Sequence, residues 1–196
     1  MVHISITGSA ILRKTSFFLP DFPVDAEVKY KDNLVNAYDN SIRYTDDFLA
    51  RLIGMLQEQN TDAAMLYSSD HGEDIFDDSR RLFLHASPVP SYYQIHVPFL
   101  LWMSDSYRDH YPSLWENTIS NKQKNISSSA SFFHTMLELG GVTTPYRNDS
   151  LSVVNGLFTE KPRVYLNDHN EARSLNEIGM GEEDFEMLQQ KGILYR

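Results

Sequence analysis

Apolar residues at Leu34, Tyr38, Ile42, Leu49, Leu52, Ile53 and Leu56 fall mostly three and four positions apart. That spacing predicts one long helix over Lys31 to Gln57 with a single apolar face. Asn60-Thr61-Asp62 then turns the chain, and the period changes. Ala63 to Tyr67 is apolar without interruption, the pattern of a short parallel strand covered on both faces. A second strand is predicted over Ile95 to Met103, with Pro98 marking an irregular start or an edge. Tyr107 to Gln123 mixes aromatic and polar residues without a clear period. Ser127 to Leu139 reads as a helix with a serine cap and a Gly140-Gly141 close, its apolar face made by Phe132, Phe133, Met136, Leu137 and Leu139. Arg163 to Leu166 reads as a late strand, and Glu182 to Gln190 as a short helix, acidic in its first turn and closed by Lys191-Gly192. Ahead of all these, Val2 to Ile6 has strand character, followed by a loop through Pro20, Asp21 and Pro23. There are no repeats, and the alternation of elements predicts an α/β fold with a mostly parallel sheet flanked by helices.

The chemistry starts where the apolar strand stops. After Tyr67 come Ser68 and Ser69, then Asp70 and His71 side by side, then Gly72 and Glu73. Ligands of open α/β sheets bind beyond the carboxyl ends of strands, so Asp70 and His71 occupy a chemical position. A carboxylate oxygen and an imidazole nitrogen suit zinc, and Gly72 lets the backbone turn tightly beside an ion. His85 follows in Leu82-Phe83-Leu84-His85-Ala86-Ser87-Pro88, and His96 opens His96-Val97-Pro98. Three of the seven histidines thus fall between residues 71 and 96.

Composition narrows the partners. Seventeen basic against twenty-seven acidic residues give a net charge of −10, which argues against nucleic acid as a partner and against a polybasic grip on anionic lipid. With no cysteine, any metal rests on His, Asp and Glu. The longest apolar run, Val97 to Met103, is far short of the roughly 20 residues that cross a bilayer. The first residues lack the basic head and apolar stretch of a signal peptide, so the chain itself is expected to be soluble and to carry no targeting signal.

Ser69-Asp70-His71-Gly72-Glu73, Leu84-His85 with a proline after it, and His96-Val97-Pro98 together resemble the phosphoethanolamine transferases of the alkaline phosphatase and sulfatase superfamily. The helix segment Leu34 to Asp46, with Tyr38-Asp39-Asn40, is similar to the family's segment just before its metal strand. The resemblance runs from about residue 28 to residue 166. It implies an alkaline phosphatase/sulfatase-like fold, with residues 1–196 forming the C-terminal portion of the catalytic domain. By the same resemblance Asp70 and His71 are ligands of a catalytic zinc. His85 lies near the substrate phosphate or on a second zinc, His96 belongs to the substrate side, and Glu73 orients a ligand histidine or a backbone group. The implied reaction moves phosphoethanolamine from phosphatidylethanolamine to lipid A or another glycolipid, on the periplasmic face of the bacterial inner membrane.

The family's threonine nucleophile, its glutamate ligand and its membrane helices have no counterpart in this sequence. The catalytic nucleophile is therefore unassigned, the chain is expected to be N-terminally truncated, and membrane contact is expected only through the missing N-terminal domain. His3 precedes Gly8-Ser9, but Ala10 stands where the family has a second histidine, so His3 is not carried over as a ligand. Two alternatives stand beside transfer: hydrolysis of a sulfate or phosphate ester within the same superfamily, and a non-catalytic, truncated metal-binding fragment. His134 reads as a packing or capping residue, and Asp168-His169 as a strand-end pair without the Gly, Glu and downstream histidines of the first. Tyr92, Tyr93, Phe99 and Trp102 read as core, and Asp77-Asp78 with Arg80-Arg81 as a charge-balanced loop.

Overall fold

The computed structural model describes residues 16–22, 24–85, 89–166, 169 and 171–193. The expected strand Val2 to Ile6 and the His3 segment lie outside the described residues. The chain divides into two compact units, one of residues 1–58 and 73–86, the other of residues 59–72 and 87–196.

In the first unit a 3₁₀ turn, Val28–Tyr30, leads into helix α1, Lys31–Glu58, which matches the predicted helix to one residue. Leu34 of α1 is buried with Ile75 and Phe76, and Val24, Val35, Tyr38 and Phe83 pack around them. Of the predicted apolar face, Ile42 remains half exposed, so the N-terminal turns carry this core. Asn40 is also buried, and the location is affordable because its amide is fully used. Its Oδ1 accepts the N–H groups of Phe17 and Phe18, and its Nδ2 donates to the Phe18 carbonyl and to Asp21 Oδ2, tying residues 17–21 to the helix. Strands β2, Asp74–Ile75, and β3, Phe83–Leu84, form a short antiparallel ladder. Sequence periodicity could not show either, because two residues carry no period.

In the second unit β1, Ala64–Ser68, pairs with β4, Phe99–Met103, in the register Ala64 to Met103 and Ser68 to Phe99. The pair is antiparallel. The expectation that β1 lies in a parallel ladder is corrected: each ladder among the described residues is antiparallel. An apolar run reports cover on both faces and says nothing about a neighbour's direction, and large α/β sheets often include antiparallel pairs. The expected strand Ile95 to Met103 is shorter than predicted, because Ser91 caps a one-turn helix, α2, Tyr92–Ile95, and the strand begins only after Pro98.

Tyr107 to Gln123, without a clear period, lies mostly in two helices, α3, Asp105–His110, and α4, Pro112–Asn121. Ser104 joins them to the sheet: it donates its N–H to the Ala63 carbonyl, and its Oγ accepts from the Tyr107 N–H as the α3 cap. Helix α5, Ser128–Leu139, is where it was predicted, although the Ser127 side chain makes no cap hydrogen bond. The buried cluster of this unit comprises Met103, Tyr107, Leu139, Val153, Val154 and Phe158, and Tyr107 donates its hydroxyl to the Leu139 carbonyl at 2.6 Å. Strands β5, Val164–Leu166, and β6, Ala172–Ser174, form an antiparallel pair, and helix α6, Glu182–Gln190, closes the described chain. Leu175, Met180 and Leu188 pack with Tyr92 in a second cluster. Buried Asp184 accepts the N–H of Tyr92 at 2.8 Å and that of Gly181 at 3.1 Å, which locks α6 onto α2.

Candidate metal centre

Asp70 and His71 leave the C-terminal end of β1, where the strand's last pairing is Ser68 with Phe99. The turn is held by its own polar groups. Ser69 Oγ donates to the His71 carbonyl at 2.8 Å, and the His71 N–H donates to Asp70 Oδ1 at 3.1 Å. His71 Nδ1 lies 3.0 Å from the Gly72 carbonyl. A carbonyl only accepts, so Nδ1 carries the proton and the lone pair of the neutral ring sits on Nε2. That Nε2 is 3.8 Å from Asp70 Oδ2. Two ligands of one tetrahedral zinc, each at about 2.0–2.1 Å, would be about 3.3 Å apart. A small side-chain rotation therefore brings the two donors to the spacing of a shared ion. The Asp70 carboxyl, pushed up by burial but drawn down by the neighbouring His71 and by the N–H groups of residues 70 and 71, lies below the usual carboxylate range, as a ligand carboxylate needs.

Gly72 anchors this turn for a reason the sequence reading missed. It is not in the left-handed region, so conformational freedom is not what the position uses. Its N–H donates to the Gln94 carbonyl at 2.8 Å, and a Cβ here would lie 2.1 Å from the Tyr93 carbonyl oxygen. Only glycine lets the backbone after β1 close on the segment of α2, and the carbonyl that orients His71 belongs to that clamped residue.

In the other unit, Glu73 and His85 meet. His85 Nδ1 is 2.9 Å from Glu73 Oε1 and 3.0 Å from Oε2, with Glu73 mostly buried and His85 half exposed. An ionised carboxylate accepts only, so His85 also donates from Nδ1 and carries its ring lone pair on Nε2. This carboxylate–imidazole pairing is the one that orients metal-bound histidines. The β2–β3 excursion that brings the pair together is conformationally costly: Phe76, Arg81 and Leu84 have φ of 55°, 55° and 62°. Such left-handed conformations cost side-chain-bearing residues of order 1–3 kcal/mol each. Phe76 stacked on Phe83 at 5.0 Å and the Lys31 ammonium donating to the Phe76 carbonyl at 2.7 Å hold it. The acidic and basic residues here are more than a solvated loop, since Asp77 Oδ2 accepts the Ile75 N–H and Arg80 forks onto the Asp78 carboxylate.

His96 is placed elsewhere, at the end of α2. Its ring stacks on Tyr92 with centroids 5.0 Å apart, and its Nδ1 is 2.8 Å from the Tyr92 hydroxyl. Burial, with help from the positive charges of Lys191 and Arg163, holds the imidazole below its ordinary range. Burial also raises the Tyr92 phenol, so the hydroxyl keeps its proton in the hydrogen bond that it shares with His96 Nδ1. Tyr92, read from sequence as core, is both core and the partner of His96. His134 accepts the Asn148 N–H on Nδ1, in keeping with a capping role, and of the second pair Asp168 lies outside the described residues.

The sulfatase family model matches residues 13–142. The chain is 31% identical over 123 residues to phosphoethanolamine transferase EptA of Helicobacter pylori, and 34% identical over 121 residues to EptA of Escherichia coli K12. These matches cover 62% and 59% of this chain but 21% and 22% of the relatives, so the chain spans about a fifth of their length. Among solved structures, the C-terminal periplasmic domain of E. coli EptC in complex with zinc matches with a TM-score of 0.62 at 22% identity, over 93% of this chain and 51% of that one. The soluble domain of lipooligosaccharide phosphoethanolamine transferase A of Neisseria meningitidis matches with a TM-score of 0.62 at 25% identity, over 74% of this chain and 43% of that one. Among the described residues no helix is long and apolar enough to cross a membrane. The family model covers well over half of the chain, and the chain belongs to the sulfatase family.

Proposed function

We propose that this chain supplies part of the zinc and phosphate site of a phosphoethanolamine transferase working at the periplasmic face of a bacterial inner membrane, with phosphatidylethanolamine as donor and a glycolipid such as lipid A as acceptor. The observation that carries the proposal is the pair of histidines whose Nδ1–H groups are committed, His71 to the Gly72 carbonyl and His85 to Glu73, each leaving an Nε2 lone pair beside a carboxylate-bearing segment. The similarity to EptA supports the substrate class. Asp70 and His71 would hold the zinc, with His85 taking the substrate phosphate or a further ion. The cysteine-free composition agrees, because nitrogen and oxygen donors alone then remain. Bound zinc would act as a Lewis acid, stabilising charge on the phosphoryl group and on the attacking hydroxyl.

The chain's own residues do the rest by position. Asp70 would bind as carboxylate, the Gly72 carbonyl would fix His71 in the Nδ1–H tautomer with its lone pair on Nε2, and Glu73 would keep His85 in the same tautomer. His96 would lie on the substrate side. The test is equilibrium dialysis of O-phosphoethanolamine against the zinc-loaded 196-residue protein, with inorganic sulfate as a second probe. Binding that needs zinc and weakens at least tenfold in His85→Ala is expected. Absence of phosphoethanolamine binding, or tighter binding of sulfate, would overturn the transferase reading, the latter in favour of ester hydrolysis.

A further inference from the structure

Helix α2 is a single turn, Tyr92–Ile95, and a turn of that length does not stand on its own. Its first N–H groups and last carbonyls have no partner within the helix, so what bonds them decides where the turn sits. Its start is held in three ways. Ser91 Oγ accepts the Gln94 N–H at 3.3 Å, the Tyr92 side chain is buried with Leu175, Met180 and Leu188, and Asp184 Oδ1 accepts the Tyr92 N–H at 2.8 Å. Asp184 is fully buried, and its Oδ2 accepts the Gly181 N–H at the start of α6 at 3.1 Å. One carboxylate thus joins the N-termini of two helices, where the backbone dipoles favour negative charge.

The other end of α2 reaches the candidate metal ligand. The Gln94 carbonyl accepts the Gly72 N–H at 2.8 Å, and the Gly72 carbonyl lies 3.0 Å from His71 Nδ1. The approach leaves little slack, since a Cβ on Gly72 would lie 2.1 Å from the Tyr93 carbonyl oxygen. Asp184, α2, Gly72 and His71 therefore form one continuous path of hydrogen bonds and backbone, all within the second unit. A neutral imidazole in water prefers its proton on Nε2, the nitrogen that His71 would offer to a metal. The Gly72 carbonyl works against that preference by accepting from Nδ1, and it does so only where α2 holds it.

We propose that Asp184 is a positioning residue for His71. By fixing α2 it holds the Gly72 carbonyl where that carbonyl commits the imidazole proton to Nδ1 and keeps the lone pair on Nε2 for the metal. Partners that orient a ligand histidine usually bond the ring directly; here the side chain that sets the ring lies two steps away, on α6. The proposal deepens the zinc-site reading and rests on it for the use of the arrangement, whereas the arrangement itself is measurable in metal-free protein.

The experiment follows the His71 ring-nitrogen shifts by NMR in the zinc-free 196-residue protein, above the pH range in which imidazole titrates, and measures zinc affinity by equilibrium dialysis. Wild type should show His71 protonated on Nδ1 alone. In Asp184→Asn the amide cannot accept at both positions, so His71 should show both tautomers and zinc should bind about tenfold more weakly. Tyr107→Phe removes the bond to the Leu139 carbonyl in the other buried cluster of the unit and should leave both readouts at wild-type values. That contrast separates positioning from general loosening. Ser91→Ala loosens α2 with Asp184 in place; it should move both readouts the same way by less, and it decides the matter if Asp184→Asn does not fold. Wild-type His71 protonated on Nε2, either readout unchanged in the folded relay variant, or equal changes in Tyr107→Phe would overturn the proposal. Wild type that binds no zinc would overturn the zinc reading by itself, and the His71 shifts alone would then decide whether Asp184 sets the ring.

Discussion

Asp70 and His71 leave a five-residue ladder, β1 with β4, that rests on a buried cluster including Met103 and Val154; Glu73 and His85 border two-residue strands flanked by left-handed residues. The first pair is positioned by regular structure and one glycine. The second is positioned by a carboxylate–imidazole bond, an aromatic stack and a lysine reaching a carbonyl. Neighbouring candidate ligand positions in one sequence motif can therefore be fixed by opposite means. A ladder holds its residue through many weak and redundant contacts, whereas a strained hairpin holds its residue through a few bonds that can be removed one at a time.

The sharpest way to break the comparison is to add a Cβ in the regular half and remove one in the strained half. Gly72→Ala puts a methyl carbon onto the Tyr93 carbonyl and should cost about 3 kcal/mol of unfolding free energy in urea. Arg81→Gly removes a left-handed side chain from an exposed position and should gain up to about 1 kcal/mol. Losses of equal size in both would mean that the two halves are held alike.

Sequence pattern revealed the long helices and the two ladder strands because burial of one face or both imposes a period on many residues. Helix α1 came within one residue, and α6 matched at both ends. The partner direction of β1 was not legible, since pairing is set by backbone hydrogen bonds that leave no mark on side-chain choice. The carboxylate at residue 70 and the imidazoles at residues 71 and 85 were legible as candidate ligands. What they lean on was less so: Gly72 looked like a turn residue and acts through close approach, and Tyr92 looked like core and also bonds His96.

A smaller effect sharpens the view of the hairpin. The Arg80 fork holds the Asp78 carboxyl below its usual range against the opposing effect of burial. A depressed folded-state pKa contributes stability that is fully present above the unfolded value near 3.9 and is lost as pH falls through the folded value. Asp78→Asn should therefore lower stability by less than about 1 kcal/mol at pH 7. The gap from wild type should close only as pH drops below about 4. A gap that persists at pH 2 would assign the loss to packing instead of charge.

The central claim, that Asp70 and His71 hold zinc through a carboxylate and a preset Nε2, is tested most directly by a thermal-shift titration with zinc of wild type, His71→Ala, His134→Ala and His169→Ala. An ion that binds only the folded chain stabilises it in proportion to the logarithm of its concentration. Wild type, His134→Ala and His169→Ala should all show a rising Tm, and His71→Ala should show none. A wild-type Tm that ignores zinc up to millimolar concentration, or a response lost in His169→Ala and kept in His71→Ala, would contradict the account.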